Sequence, residues 1–268
     1  MGAKRLSIIV PSYNDARIAR ALRSVRDFDD LGVVRLVIID GGSNSNTRRL
    51  IEAELTADDV LISESDDGIF DALNKGLQAC TTDFVGWLGS DDLFTGRVKS
   101  SYVLSALEGH DLFVANLAFF RGSAVTRVTH SWPCSARLDR FGLHNPHFAT
   151  FGTVRLLGSE RFTVGNRASD IEYFLRIFAK RPRVTTLNVV ATLQAEGGYS
   201  TRSLSAIISS NLELISVFGR FTHWSMGPAA VIVKLSYKAL SRLVCALMRL
   251  RVEDFLVGGA MGDTVRTL

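Results

Sequence analysis

The chain has 268 residues, 47% hydrophobic and 22% charged, with a net charge of +4. This composition supports one sizeable core and argues against disorder, and no Lys/Arg-rich run interleaved with aromatics points to nucleic acid. The three cysteines, Cys80, Cys134 and Cys245, are far apart, with no CxxC or Cys/His spacing, which excludes a full disulfide framework and a zinc site and favours a reducing compartment.

Leu6–Val10 is a short apolar run stopped by Pro11, the pattern of a buried strand rather than of a signal peptide. Leu6 also breaks the myristoylation pattern, so the catalytic part is expected to be cytoplasmic. Asp15–Val25 carries Ile18, Ala21, Leu22 and Val25 at helical spacing. A strand follows at Val34–Ile39, a helix at Thr47–Leu55, a strand at Val60–Ser63, a helix at Ile69–Ala79 and a strand at Phe84–Leu88. Strands alternating with helices long enough for crossovers predict a mostly parallel α/β sheet with helices on both faces. After about residue 110 the pattern changes. Leu112–Phe120 and Ala124–His130 read as a hairpin around Arg121-Gly122-Ser123. Ser169–Ala179 reads as a helix with Ser169 as N-cap and Glu172 three residues on. A strand at Val184–Leu193 and helices at Ser203–Phe218 and Met226–Arg251 complete the chain.

Ligands of open α/β sheets bind at the carboxyl ends of strands. Here the first two strands end in Pro11-Ser12-Tyr13-Asn14 and Asp40-Gly41-Gly42-Ser43. Neither GxGxxG nor GxxxxGK[ST] is present, which disfavours a dinucleotide site and a P-loop. Asp40 suits a ribose hydroxyl or the N–H of a base, because a carboxylate only accepts hydrogen bonds; it equally suits a turn and helix cap. Ser90-Asp91-Asp92 directly follows an apolar strand. Successive side chains point to opposite sides, so one carboxylate can accept from a ribose hydroxyl while the other reaches a Mg²⁺ or Mn²⁺ ion bridging two phosphates. The alternative is a solvated helix start. Asp66 and Asp67 precede the helix at Ile69, where they would cap it; Asn74 and Lys75 lie on that helix, within reach of a base or phosphate if its start faces the site.

The segments SIIVPSYN at 7–14, VIIDGGSNSNT at 37–47, SESDDGIFDALNKGLQACTTDFVGWLGSDD at 63–92, HFATF at 147–151 and SDIEYFLRI at 169–177 occur in one order. Together they resemble the family 2 inverting glycosyltransferases of GT-A fold, most closely the bacterial enzymes that build surface polysaccharide. The likeness covers about residues 6–200, and its specific part is 63–92. The family's central motif reads approximately D-x-G-I-Y-D-A-M-N-K-G…F-L-N-S-D-D, so Phe70, Leu73 and Gly89 are departures; Gly89 in place of Asn implies a more flexible turn. The resemblance implies that Pro11, Tyr13 and Asp40 line a nucleoside pocket bordered by Asp66 and Lys75. It implies that Asp91 and Asp92 form the DxD-type element, Asp92 holding Mn²⁺ or Mg²⁺ and Asp91 the nucleotide. Asp170 matches the family's base, with Glu172 the competitor. The Gly197-Gly198-Tyr199-Ser200 stretch matches a flap over the donor. His147 and Thr150 are assigned to the acceptor.

What the resemblance implies is therefore an inverting, hexosyl-type transfer from a nucleotide-sugar donor, expected to be UDP-linked, onto a glycan or lipid-linked acceptor. Two rivals stand beside it: a nucleotidyltransferase of related fold and a non-catalytic nucleotide-sugar-binding subunit. The expected organisation is a GT-A domain at 1–222, with a nucleotide-binding half at 1–110 and a β-rich acceptor half at 111–222, followed by a basic amphipathic helix and tail at 223–268. In that helix Lys234, Lys238 and Arg242 recur every four residues beside an apolar face. Such a helix suits an anionic membrane surface, the catalytic domain or a second subunit in a homodimer. Its basic interruptions argue against a bilayer span of about 20 mostly apolar residues.

Overall fold

The computed structural model describes residues 3–131, 146–196, 204–221 and 226–256. The predicted flap at 197–200 lies outside the described residues, as do Cys134 and His144. Four parallel strands form the first half of the sheet: β1 (Leu6–Ser12), β2 (Val34–Asp40), β3 (Val60–Ser63) and β4 (Phe84–Trp87). They are joined by α1 (Ile18–Phe28), α2 (Ser45–Glu52) and α3 (Ile69–Ala79). All seven residues of β1 are buried, which is why it reads as a continuous apolar run rather than an alternating one. α1 buries Ile18, Ala21, Leu22, Val25 and Phe28 against this half. Its start lies at Ile18, three residues after the predicted one, because the Asp15 carboxylate accepts from the Arg17 backbone N–H at 2.9 Å and holds a turn there.

The second half is mixed. It adds β5 (Leu93–Phe94), α4 (Ser100–Leu107), β6 (Leu112–Arg121), β7 (Ala124–Thr129), β8 (Thr150–Thr153), α5 (Val154–Leu157), α6 (Ser169–Ala179) and β9 (Val184–Ala195). The sheet order is β3-β2-β1-β4-β8-β6-β9-β5, with β7 paired to β6 in the predicted hairpin. β8 is antiparallel to both β4 and β6, and β9 runs parallel to β6. This is the α/β architecture the alternation predicts. One core runs from α1 through the sheet to α6, with Phe28, Phe113, Phe151 and Tyr173 among its buried rings.

α7 (Leu204–Phe221) and α8 (Met226–Met248) close the described chain with a 3-10 turn at Val252–Asp254. Cys245, Leu250, Val252 and Phe255 share a second cluster with Val125 and Val128 of β7. Arg97 ties this end down by donating to the carbonyls of Asp254 and Phe255.

Candidate active site

The register of the parallel strands aligns Ser12, Asp40 and Ser63 at their carboxyl ends. Asp40 is fully buried between its neighbours. Its carboxylate accepts from Ser63 Oγ at 2.6 Å and from the Ser43 backbone N–H at 3.2 Å. It thus fastens the β2 turn and forms the floor of the groove. Ser12 Oγ is buried without a hydrogen-bond partner, an uncompensated polar atom of the kind a ligand or water satisfies. Pro11 is buried in β1, while Tyr13 beyond it is 66% exposed. Asn14, at φ 51°, accepts from the Asn44 backbone N–H at 2.8 Å and stitches the β1 and β2 loops together.

Asp66 lies over Gly41, where a Cβ would sit 2.6 Å from Asp66 Oδ2. Glycine is therefore required for the carboxylate to reach the β2 turn. Burial pushes the Asp66 carboxyl above its usual range, against the opposing pull of the Gly68 N–H and of Lys75. Asp66 Oδ1 accepts from Gly68 N at 3.0 Å, and Gly68, not an aspartate, is the N-cap residue of α3. Lys75 pairs with Glu64 at 2.9 Å and Asp71 at 3.4 Å, beside the Ser65 carbonyl at 2.9 Å. Asn74 is spent elsewhere: it exchanges two hydrogen bonds with the Phe162 backbone, at 2.8 and 2.9 Å.

Asp91 and Asp92 occupy the turn after β4. Asp92 is 1% exposed and accepts from Ala195 N of β9 at 2.9 Å, with Gln194 Nε2 at 3.5 Å. Asp91 is more accessible and pairs with Arg17 at 3.2 Å. Arg17 also grips Asp15 through two 2.9 Å bonds, and Ser90 Oγ donates to Asp15 at 3.0 Å. Burial raises the Asp15 carboxyl's pKa, but its bonds to Arg17 outweigh that and hold it below the usual range. Asp92 is driven the other way, well above that range, by burial and then by the Asp91 charge. Gly89 also makes room in this turn. A Cβ at that position would lie 2.5 Å from Asp92 Oδ2 and 3.3 Å from Asp91 Oδ1, so the carboxylates pack where a side chain would be.

Two adjacent hard-oxygen donors, one of them strained towards protonation, fit Mg²⁺ or Mn²⁺, which takes few protein ligands and completes its shell with phosphate oxygens and water. Among the described residues no group of three or more His, Cys, Asp or Glu forms a complete cage.

The other wall begins at Trp87, the last residue of β4. Its Nε1–H donates to the His147 carbonyl at 2.6 Å, and its ring meets Phe162, Tyr173 and Phe174 edge-on. These contacts fix both α6 and the turn at His147 around the end of β4. Asp170, in the first turn of α6, thereby faces His147, with 3.5 Å between Oδ2 and Nδ1. Burial lowers the His147 pKa against the opposing Asp170 charge, which favours the neutral ring. Glu172 is 6% exposed and engaged by Arg176 at 3.1 Å, Arg220 at 3.5 Å and Asn166 at 2.9 Å. It ties α6 to α7. The cap of α6 is Ala168, not the predicted Ser169, whose hydroxyl accepts from Thr163 N at 2.7 Å. Thr150 is buried, its hydroxyl donating to the Pro146 carbonyl at 2.9 Å.

The first half of the candidate site thus meets the second at β4, whose end carries both the Asp91–Asp92 turn and the Trp87 anchor. A family model, "Glycosyl transferase family 2", matches residues 7–174. The chain belongs to glycosyl transferase family 2. It is 30% identical over 213 residues to an uncharacterized glycosyltransferase of Mycobacterium tuberculosis, covering 76% of this chain and 80% of that one. It is 27% identical over 210 residues to a PGL/p-HBAD biosynthesis glycosyltransferase of Mycobacterium bovis, covering 75% and 80%. Two solved structures share the fold. Staphylococcus aureus TarS 1–349, in complex with UDP-GlcNAc, matches with a TM-score of 0.61 at 15% identity over 93% of this chain and 77% of that one. The mannosyltransferase PcManGT of Pyrobaculum calidifontis, in complex with GDP-Man and Mn²⁺, matches with a TM-score of 0.56 at 19% identity over 91% and 78%. The protein is a glycosyltransferase of GT-A fold, as its motif order implies.

The residues that sequence reasoning missed are Asp15, Arg17 and Ser90, together with the β9 backbone that holds Asp92. Two opposite charges two residues apart, just beyond the first strand end, are the signal by which the first pair could have been found.

Proposed function

We propose that this glycosyltransferase transfers a sugar from a UDP-linked donor by a single inverting displacement, with Asp170 as base. The nucleoside would occupy the groove of Pro11, Ser12, Tyr13, Asp40 and Asp66, bordered by Lys75. Asp92, seconded by Asp91, would hold Mg²⁺ or Mn²⁺, which when bound offsets negative charge on the departing diphosphate. Arg17 is placed to add a second positive charge there. Asp170 would accept the proton of an acceptor hydroxyl as that oxygen attacks the anomeric carbon opposite the leaving group. His147 orients the Asp170 carboxylate and borders the acceptor, whereas Glu172, held by three partners, positions α6. Thr150 would act on the acceptor only by shaping the His147 turn. The observation that carries this reading is the single Trp87 anchor, which sets Asp170 and the Asp91–Asp92 turn about one strand end.

Titration calorimetry with UDP, with and without Mn²⁺, tests the donor side. Asp92→Ala is expected to abolish the Mn²⁺ stimulation of UDP binding; an unchanged titration would remove Asp92 from the metal site.

The acceptor is read as a glycan or lipid-linked saccharide, with the protein peripheral on a membrane. The support is the outward face of α8, where Ile232, Leu235, Leu240, Leu243 and Leu247 are all exposed. Among the described residues no helix is long and apolar enough to cross a bilayer. The contact would be interfacial and apolar, rather than through the basic stripe.

A further inference from the structure

The two lysines of the basic stripe of α8, Lys234 and Lys238, face inward, while Arg242 is exposed. Tyr237 Oη accepts from His130 N at 3.2 Å, and Ser241 Oγ accepts from Val128 N at 3.0 Å and donates to the Val128 carbonyl at 2.9 Å. These bonds lay the Lys234, Tyr237, Lys238, Ser241 side of the helix along β7. At the other end, Ala230 and Val231 pack with Ala168 and Ile171, the residues that flank Asp170. Lys234 follows one helical turn after Ala230 and so comes beside Asp170. Arg127, next to Val128 on β7, completes the group. Its guanidinium carbon lies 3.6 Å over the Phe119 ring, and its Nε is buried without a hydrogen-bond partner.

Among the described residues, few carboxylates answer this charge. Asp170 is the acid whose field reaches both lysines. Glu196 is the one that reaches Arg127, and it is already engaged by Arg121 at 2.9 Å and Arg242 at 3.2 Å. Burying like charges together is costly. Burial, then Lys234 and Arg127, push the Lys238 ammonium down to about 7, and burial lowers Lys234 as well. A partly buried group of like charges is a candidate functional site, because an opposite charge bound there would offset the penalty.

We propose that Lys234, Lys238 and Arg127 form an anion subsite beside Asp170 that takes a phosphate or diphosphate carried by the acceptor. This rests on the reading of Asp170 as the base at the acceptor side. Two lysines one turn apart on α8 and an arginine on the strand that this side of the helix lies along match a multiply charged phosphate better than a single carboxylate. The phosphate would hold the acceptor so that its free hydroxyl meets Asp170, and an acceptor without it would lose that register.

The test uses the full chain saturated with UDP and titrated with inorganic pyrophosphate in the presence of EDTA. The wild type is expected to take up one further anion, with affinity reduced tenfold or more in Lys234→Met and Lys238→Met while UDP affinity is unchanged. Equal pyrophosphate affinity in the variants, or no uptake beyond UDP, would overturn the subsite. If UDP fails to bind even when Mn²⁺ is supplied, the donor reading falls, while lysine-dependent pyrophosphate binding by the bare chain still decides the subsite. Phosphatidylcholine vesicles with and without a polyprenyl diphosphate separate the sources. Lysine-dependent capture by the doped vesicles alone assigns a lipid carrier; lysine-dependent binding of free pyrophosphate with no gain from vesicles assigns a soluble phosphate. Without ligand, Lys238→Met is expected to raise the melting temperature by about 2–4 °C, because it removes an uncompensated buried charge. A lower melting temperature with pyrophosphate binding intact would make the lysine an ordinary structural residue and overturn the proposal.

Discussion

α1 and α8 carry the same kind of sequence and face opposite ways. Both place apolar residues on one side and basic residues on the other. α1 turns Leu22, Val25 and Phe28 into the core and leaves Arg20 and Arg23 in water. α8 turns Lys234 and Lys238 towards β7 and leaves Leu235, Leu243 and Leu247 exposed. Amphipathic spacing establishes that a helix has two faces; which face is buried depends on what the rest of the chain offers it. The first half of the sheet offers α1 an apolar surface. β7 and the start of α6 offer α8 backbone polar groups, an aspartate and an arginine. The inner half is thus built by ordinary burial, while the C-terminal helix sets stability aside for charge near Asp170 and an apolar outer surface.

That contrast can be broken most forcefully at α1. Leu22→Ala is expected to destabilise the protein by about 2–5 kcal/mol, measured by denaturant unfolding; a change near zero would deny α1 its role in the core. A smaller effect is expected from the pH dependence of Lys238. Its pKa is about 7 when folded, against an ordinary 10.5. Below about 7 both states hold the proton and the burial penalty is complete. Between the two values the unfolded chain holds the proton and the native one has released it, so stability rises with pH. Burial first, then Lys234, Arg127 and Arg242, drives this shift, and Asp170 opposes it. Melting curves of wild type and Lys238→Met across that window should converge as the pH rises; parallel curves would mean that Lys238 titrates as an exposed lysine. The smallest effect on stability is expected at Leu243, where Ser should change unfolding by no more than about 0.5 kcal/mol yet weaken cosedimentation with phosphatidylcholine vesicles. A large loss of stability there would place this leucine in a protein contact instead.

β1, β2 and β4 were legible in the sequence because they are almost wholly buried apolar runs that stop beside Pro11, Gly41 and Gly89. β5, β8 and α5 were not: β5 has two residues, and β8 and α5 four each, too few to display a period. α4, at Ser100–Leu107, is not legible because Ser and Tyr interrupt its apolar spacing. In the site, strand ends and the paired aspartates were legible as motifs, and their order identified the family. The Ser90–Asp15 bond was not, because it joins residues 75 apart. Thr150 read as an available hydroxyl, but its bond to the Pro146 carbonyl is visible only once the turn before β8 is folded. The inward lysines of α8 could not be read from spacing, which reports a stripe and not its direction.

The most direct test of the account is Asp170→Asn, assayed for both UDP binding and sugar transfer from a UDP-linked donor. The substitution keeps the shape of the side chain and removes its basicity. UDP affinity is expected to match wild type while transfer falls about 10²- to 10⁴-fold. Near-normal transfer would contradict the assignment and move the base elsewhere, to Glu172 first.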